Sequence, residues 1–238
     1  MAMQFDRRQS ILSYLETAKS ASVRELAAAV YASEASVRRD LEALESEGFL
    51  QRVYGGAVLA QPANTVIPVA LRDGDHAAQK EALARRAAEL VTDGTTLIMD
   101  ASSTTRRMLK YLKGRHDLRI FTNNAAALDD SEGLDAEIYC TGGFYDRKNH
   151  AFLGPAAERF LSTVSADLLF FSSQGLSLDG EVSDVSAIDT SLRRAMLSRA
   201  AKRILLCDSS KLGIRRDFVL CTKDDVDLIL CDEKLPWE

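Results

Sequence analysis

The stretch VRRDLEALESEGFLQRVYGGAV, residues 37–58, sets two adjacent arginines near the start of a short amphipathic segment that ends, after one glycine, in a Leu-Gln-Arg-Val-Tyr run closed by Gly-Gly. At about 100° per residue, Val37, Leu41 and Leu44 share one helical face. Ala35, Arg39, Glu42 and Ser46 point the other way, with Ser36 and Arg38 on the flanks. Gly48 is placed to end the helix. Beyond it, residues 49–53 and 57–59 flank Tyr54-Gly55-Gly56, the pattern of a hairpin with a glycine-rich tip.

Working upstream, Ser33 is a suitable cap for this helix, and Tyr31-Ala32 forms a short turn before it. Ser22 followed by Glu25 is a capping box that opens a second helix through Val23, Leu26, Ala27 and Val30. Phe5, Ile11, Leu12 and Leu15 place a first helix over residues 6–18. Three short helices with a tight link between the second and third make a helix-turn-helix, and the following hairpin is its wing. In that motif the N-terminal end of the recognition helix lies in the major groove of DNA. Ser33, Ala35, Ser36, Arg38 and Arg39 occupy that end here, with Glu42, Glu45 and Glu47 further back. Arginine suits either a bidentate contact to guanine or a phosphate clamp. Arg52, Tyr54 and Gly55 on the wing are candidates for the DNA backbone. The basic face is local, because residues 1–60 hold seven Lys/Arg against eight Asp/Glu. A solvated surface helix, or a protein-binding module, accounts for the same periodicity.

The chain has 238 residues and a formal net charge of −5, which argues against an indiscriminate nucleic-acid coat. Its length leaves room for a second, larger core. Cys140, Cys207, Cys221 and Cys231 form no C-x-x-C pair, and His76, His116 and His150 show no metal-ligand spacing. Neither a metal nor a cofactor is expected. No apolar run is long enough for a bilayer, so a cytoplasmic protein without a membrane partner is expected.

Residues 61–75, with Pro62, Pro68 and Gly74, lack a period and suggest a linker between a domain at 1–60 and one at 76–238. The second domain opens with a helix over 76–91, with Ala82, Leu83, Ala87 and Leu90 inward. Apolar strands then alternate with helices: strands at 96–100, 118–122, 137–140, 168–171, 204–207 and 228–231, helices from 102 to 112, after Asn123, from Pro155 and over 186–200. Alternation of this kind implies a mainly parallel α/β sheet covered on both faces. Ligands of such sheets bind beyond the carboxyl ends of the strands. Those ends carry Asp100 with Ser102, Ser103, Thr104 and Thr105; Thr122 with Asn123 and Asn124; Thr141 with Gly142 and Gly143; Ser172, Ser173 and Gln174; and Asp208 with Lys211. Each hydroxyl or amide alone is adequately explained as a helix cap. Their joint occurrence with a lysine favours a pocket for a small polyhydroxylated anion, with Lys211 on a phosphate and Asp100 on sugar hydroxyls.

Residues 22–58 resemble the N-terminal signature of the DeoR family of bacterial sugar-response repressors: Arg38-Arg39-Asp40-Leu41, Gly48, Leu50, Arg52 and Gly55-Gly56-Ala57 match its winged helix-turn-helix. Tyr54 stands where the family commonly has histidine. The second half resembles the family's sensor domain, related in fold to ribose-phosphate isomerases, at Asp100, Ser103 and Thr104, at Thr122-Asn123, at Gly142-Gly143, at Leu153-Gly154-Pro155, and at Asp208-Ser209-Ser210-Lys211 with Gly213. Asp189 and Arg193 replace the family's glutamate and lysine, and an i,i+4 surface pair is an equally good account of both.

The resemblance implies a repressor that binds a double-stranded DNA operator under control of a phosphorylated sugar effector. Helix-turn-helix proteins usually read pseudo-palindromes as dimers, so a homodimer or homotetramer is expected. A sugar-phosphate isomerase or hydrolase fused to a DNA-binding module is the alternative, since Asp100, Asp184 and Asp208 supply possible general bases.

Overall fold

The computed structural model describes residues 7, 8, 10–12, 14, 15, 18–46, 49–59 and 69–237. The chain divides into two compact units, residues 1–67 and 68–238.

In the first unit, helix α1 is helical at residues 7, 8, 10–12, 14 and 15 and buries Ile11, Leu12 and Leu15. Strand β1 (Ser20–Ser22) runs into α2 (Val23–Ala29). The capping box forms: Glu25 N donates to Ser22 Oγ at 3.2 Å and Ser22 N to Glu25 Oε2 at 2.8 Å, which satisfies N–H groups that the first turn of the helix leaves without partners. Tyr31 turns the chain at φ +50°, and Ser33 Oγ accepts from Ser36 N at 3.2 Å to start α3 (Glu34–Ser46). Helix α3 buries Val37, Leu41 and Leu44 as expected, and Asp40 with them. The Asp40 carboxylate is fully enclosed and takes Arg7 Nε at 2.5 Å and Arg8 Nε at 3.4 Å, which ties α3 to α1.

The wing strands are β2 (Leu50–Val53) and β3 (Gly56–Leu59), paired antiparallel. Strand β1 adds a third member against β3, which periodicity over three residues does not reveal. That pairing explains the second glycine: a Cβ on Gly56 would lie 2.2 Å from the Ala21 carbonyl oxygen, whereas Gly55 is needed for its φ of +79°. The expected stop at Gly48, and Phe5 and Asp6 of the first helix, lie outside the described residues.

The second unit opens with α4 (Val69–Gly74) and α5 (Ala77–Ala88), then β4 (Thr96–Met99), α6 (Ser103–Arg106), β5 (Leu118–Thr122), α7 (Ala127–Asp130) and β6 (Ala136–Cys140). A hairpin of β7 (Phe144–Asp146) and β8 (Ala151–Leu153) precedes α8 (Pro155–Ser162) and β9 (Ala166–Phe171). Then come β10 (Gly175–Leu176), β11 (Glu181–Asp184), α9 (Ala187–Leu197), β12 (Ala200–Cys207), β13 (Phe218–Thr222) and β14 (Leu228–Cys231). Six strands form one sheet in the order β14-β12-β9-β4-β5-β6, every pair parallel. Strands β10, β11 and β13 make a small antiparallel sheet.

Alternation along the parallel strands sends neighbouring side chains to opposite cores. Ile98, Phe171 and Leu205 pack with Leu161, Leu192 and Met196 on one face. Leu97, Phe170 and Leu206 pack with Leu83, Ala87 and Val91 on the other. Both faces are thus covered, as a parallel sheet requires. Among the described residues no helix is long and apolar enough to cross a membrane.

Four expectations need correction. Residues 69–74 of the expected linker are helical, held by side chains of α5 and of the α6 region that composition does not disclose; residues 60–68 lie outside the described set. In α5 the buried stripe is Lys80, Leu83, Ala84, Ala87 and Ala88, while Ala82 and Leu90 are exposed, because the sheet meets the helix one position round from the assumed face. The helix expected over 102–112 is one α turn followed by a 3₁₀ turn at Leu109–Tyr111. The helix expected over 186–200 ends at Leu197, and Ala200 already starts β12.

Candidate functional site

Chain order runs outward from β4 to β5 and β6 on one side, and from β9 to β12 and β14 on the other. The reversal lies between β4 and β9, and open α/β sheets bind ligands at such a point, beyond the strand carboxyl ends. A cleft of about 310 Å³, solvent included, sits there. The loop after β4 brings Ser102, Ser103 and Thr104, the loop after β9 brings Ser172, Ser173 and Gln174, and the loop after β12 brings Asp208 and Lys211. The small antiparallel sheet delivers Asp184 at the end of β11, and α9, α4 and α5 deliver Arg193, Arg72 and Lys80. Four cations against two carboxylates give the lining a formal charge of +2.

The frame behind the lining is Asp100. Its Oδ1 accepts from Ser102 N at 3.1 Å and Thr105 Oγ1 at 2.8 Å, and its Oδ2 from Ser172 N at 3.2 Å and Arg193 Nε at 2.9 Å. A carboxylate offers about four lone-pair sites, so Asp100 is saturated. It locks the β4 loop to the β9 loop and is not turned to a ligand, as sequence reading had it. Thr105 likewise faces Asp100. Arg193 Nη1 reaches Asp184 Oδ2 at 2.7 Å, so Arg193 is a buried bridge between two carboxylates and not the surface partner of Asp189. Burial works against its charge, but Asp184 and Asp100 more than offset this and hold its pKa above the ordinary value. Burial pushes the Asp184 carboxyl up despite Arg193.

Two cations on the wall carry the opposite strain. Burial, then the neighbouring Arg193, lowers the Arg72 pKa. Burial, then Lys211, brings Lys80 from 10.5 down to about 8. Asp208 accepts from Ser210 Oγ through Oδ1, while its buried Oδ2 has no partner among the described residues. Buried cations that repel one another and an unsatisfied carboxylate oxygen suit a ligand that is anionic at one end and hydroxylated at the other.

Of the residues singled out in the sequence, Ser102, Ser103, Thr104, Gln174 and Lys211 meet at this cleft. Thr122, Asn123, Gly142 and Gly143 do not line it. They follow β5 and β6, which lie one and two strands beyond β4, and strands are spaced about 4.8 Å apart. Thr122 Oγ1 accepts from Asn124 N at 3.0 Å, and Asn123 Nδ2 donates to the Phe152 carbonyl at 3.2 Å. Gly143 is required by packing, since a Cβ there would lie 2.6 Å from the Leu153 carbonyl oxygen. Arg72 and Lys80 gave no signal in the sequence, where an isolated basic residue reads as solvated.

On the first unit, Ala35, Arg38, Arg39, Arg52, Tyr54 and Gly55 are exposed, as is Ser33, and Ser36 is half-buried. Arg38 pairs with Glu34 at 2.7 Å, and among the described residues Arg39 Nε reaches only its own helix, at the Ala35 carbonyl 3.4 Å away. Arg52 contacts Glu42 at 3.2 Å and donates its backbone N–H to Glu45 at 2.8 Å, which fixes the wing to α3. Tyr54 projects fully from the wing tip. The described residues hold no His/Cys/Asp/Glu cluster suited to a metal, and the four cysteines are free thiols.

A winged helix-turn-helix joined to a parallel α/β unit with a cation-lined cleft defines a two-domain DNA-binding regulator. The model of the DeoR-like helix-turn-helix domain matches residues 7–63 and that of the DeoR C-terminal sensor domain residues 75–233. The chain belongs to the DeoR family of transcriptional regulators. It is 34% identical to the uncharacterized HTH-type transcriptional regulator YulB of Bacillus subtilis, over 97% of this chain and 89% of that one. It is 30% identical to the transcriptional repressor AccR of Agrobacterium fabrum, over 95% and 89%. It is 28% identical to the L-fucose operon activator of Escherichia coli K12, over 98% and 96%. Among solved structures, a D-ribose-5-phosphate isomerase in complex with phospho-erythronic acid is similar over 56% of this chain and 52% of that one, at 16% identity and a TM-score of 0.42.

Proposed function

We propose that the chain is a sequence-specific regulator of sugar metabolism whose grip on a DNA operator changes when a phosphorylated sugar occupies the cleft of the second unit. The observation that carries this is the lining itself: Arg72, Lys80 and Lys211 converge with Ser102, Ser103 and Thr104 at the reversal point of the sheet. Charge-assisted hydrogen bonds from such groups fit a phosphate, while Asp208 Oδ2 and Gln174 fit sugar hydroxyls. Arg38 and Arg39 read the major groove from the N-terminal half of α3, and Arg52, Tyr54 and Gly55 meet the DNA backbone from the wing. Relatives are named both as a repressor and as an activator; repression is the direction we take, because the N-terminal signature resembles that of sugar-response repressors. The second reading, catalysis, rests on Asp208, whose unpartnered oxygen could serve as a base.

One screen separates the two. Pentose and hexose phosphates are added to the full chain, melting temperature is followed, and every compound that raises it is assayed for turnover. Stabilisation without product supports the sensor, and product formation supports the enzyme. Replacing Lys211 with Met is expected to abolish the stabilisation and leave operator binding by the unliganded chain within about twofold. An undiminished melting shift in Lys211→Met would remove Lys211 from the ligand's contacts.

A further inference from the structure

Helix α4 is the first element of the second unit, which begins one residue after the first unit ends. Two of the cations on the cleft wall belong to it or hold it. Arg72 is its own, and Nη2 donates to Asn149 Oδ1 at 2.9 Å. Lys80 Nζ donates to the carbonyls of Arg72 and Asp75, the latter at 2.6 Å. Arg107 Nη2 adds a bond to Asp73 Oδ1 at 2.8 Å and another to the Asp73 carbonyl. The final carbonyls of a helix lack partners within it, and a helix of six residues is marginal in water. Among the described residues, these cations tie α4 to its surroundings. An ammonium has three donors, and two of those of Lys80 already serve carbonyls at the end of α4.

We propose that α4 reports occupancy of the cleft: a bound phosphate takes the guanidinium of Arg72 and the third donor of Lys80, and so fastens α4 to the sheet at the point where the chain arrives from the first unit. This rests on the sugar-phosphate reading above and assigns Arg72 the coupling role within it. The lowered pKa values of both groups agree, since an anion relieves the repulsion that burial imposes on them.

Hydrogen exchange on the full chain tests the idea without a substitution. Inorganic phosphate and a panel of pentose and hexose phosphates serve as probes, each scored first for melting shift. With any probe that raises the melting temperature, the amides of residues 69–74 are expected to exchange at least tenfold more slowly. A melting shift with unchanged exchange in that segment overturns the coupling role and leaves the sugar-phosphate reading standing. No melting shift with any probe overturns the reading and this inference with it. In Arg72→Gln the same probe is expected to bind more weakly, and the ratio of operator affinities with and without saturating probe, typically about 5–150-fold in coupled systems, is expected to fall below about twofold. A ratio preserved in Arg72→Gln would also overturn the role.

Discussion

Lys80 shows how much the environment of one residue decides. Read in sequence it is an ordinary lysine on an amphipathic helix. In the structure burial, then the neighbouring Lys211, lowers its pKa to about 8. A bound anion favours its protonated form, so binding above that pH takes up a proton. Phosphate affinity is therefore expected to fall as pH rises through about 8, by up to about tenfold per unit from this group. The unliganded chain should respond in the opposite sense. Its folded pKa lies below the unfolded 10.5, so the unfolded chain binds more protons between about 8 and 10.5, and this group makes folding more favourable as pH rises across that window. Isothermal titration with inorganic phosphate from pH 7 to 9.5 checks the first effect. Replacing Lys80 with Arg should flatten the profile, and a profile unaltered by Lys80→Arg would assign the titration elsewhere. Asp100 carries the complementary lesson. Its position after a strand was legible, yet its role was not, because a carboxylate saturated by four donors and one free to meet a ligand look alike in a sequence.

At the scale of the element, α3 was the most legible part of the chain. The spacing of Val37, Leu41 and Leu44 fixed its inner face, and the cap at Ser33 fixed its start. Asp40 was hidden because the periodicity marks apolar positions only, and a buried carboxylate needs partners, here Arg7 and Arg8, from another helix. The exposed face yields a direct expectation. Among the described residues Arg39 makes only a long contact within its own helix, so replacing it with Ala should leave the melting temperature nearly unchanged. Operator affinity should fall by roughly 5- to 150-fold, the range of about 1–3 kcal/mol for an arginine reading a base edge. Fluorescence anisotropy on duplexes selected from a random pool measures this. Unchanged affinity would mean that another face of α3 meets DNA. Short elements were the least legible. Strands β1 and β10 hold three and two residues, too few for a period, and α6 is a single turn.

For the whole molecule, alternation of strands and helices was enough to foresee a parallel sheet with two cores. It could not give the order β14-β12-β9-β4-β5-β6, because strand order is set by which crossovers pack and not by any local run. That order decides the site: it brings the loops after β4, β9 and β12 together and leaves those after β5 and β6 outside. Arg72 and Lys80 complete the lining from α4 and α5. Control of the chain by a sugar phosphate requires that occupancy of this cleft and grip on DNA be linked, and linkage is reciprocal. The measurement that tests it most directly is operator affinity of the full chain, by fluorescence anisotropy, with and without a saturating sugar phosphate that raises the melting temperature. A change of about fivefold or more, matched by an equal change in sugar-phosphate affinity when operator is bound, is the predicted result; identical operator affinity in the presence and absence of a bound sugar phosphate would contradict it.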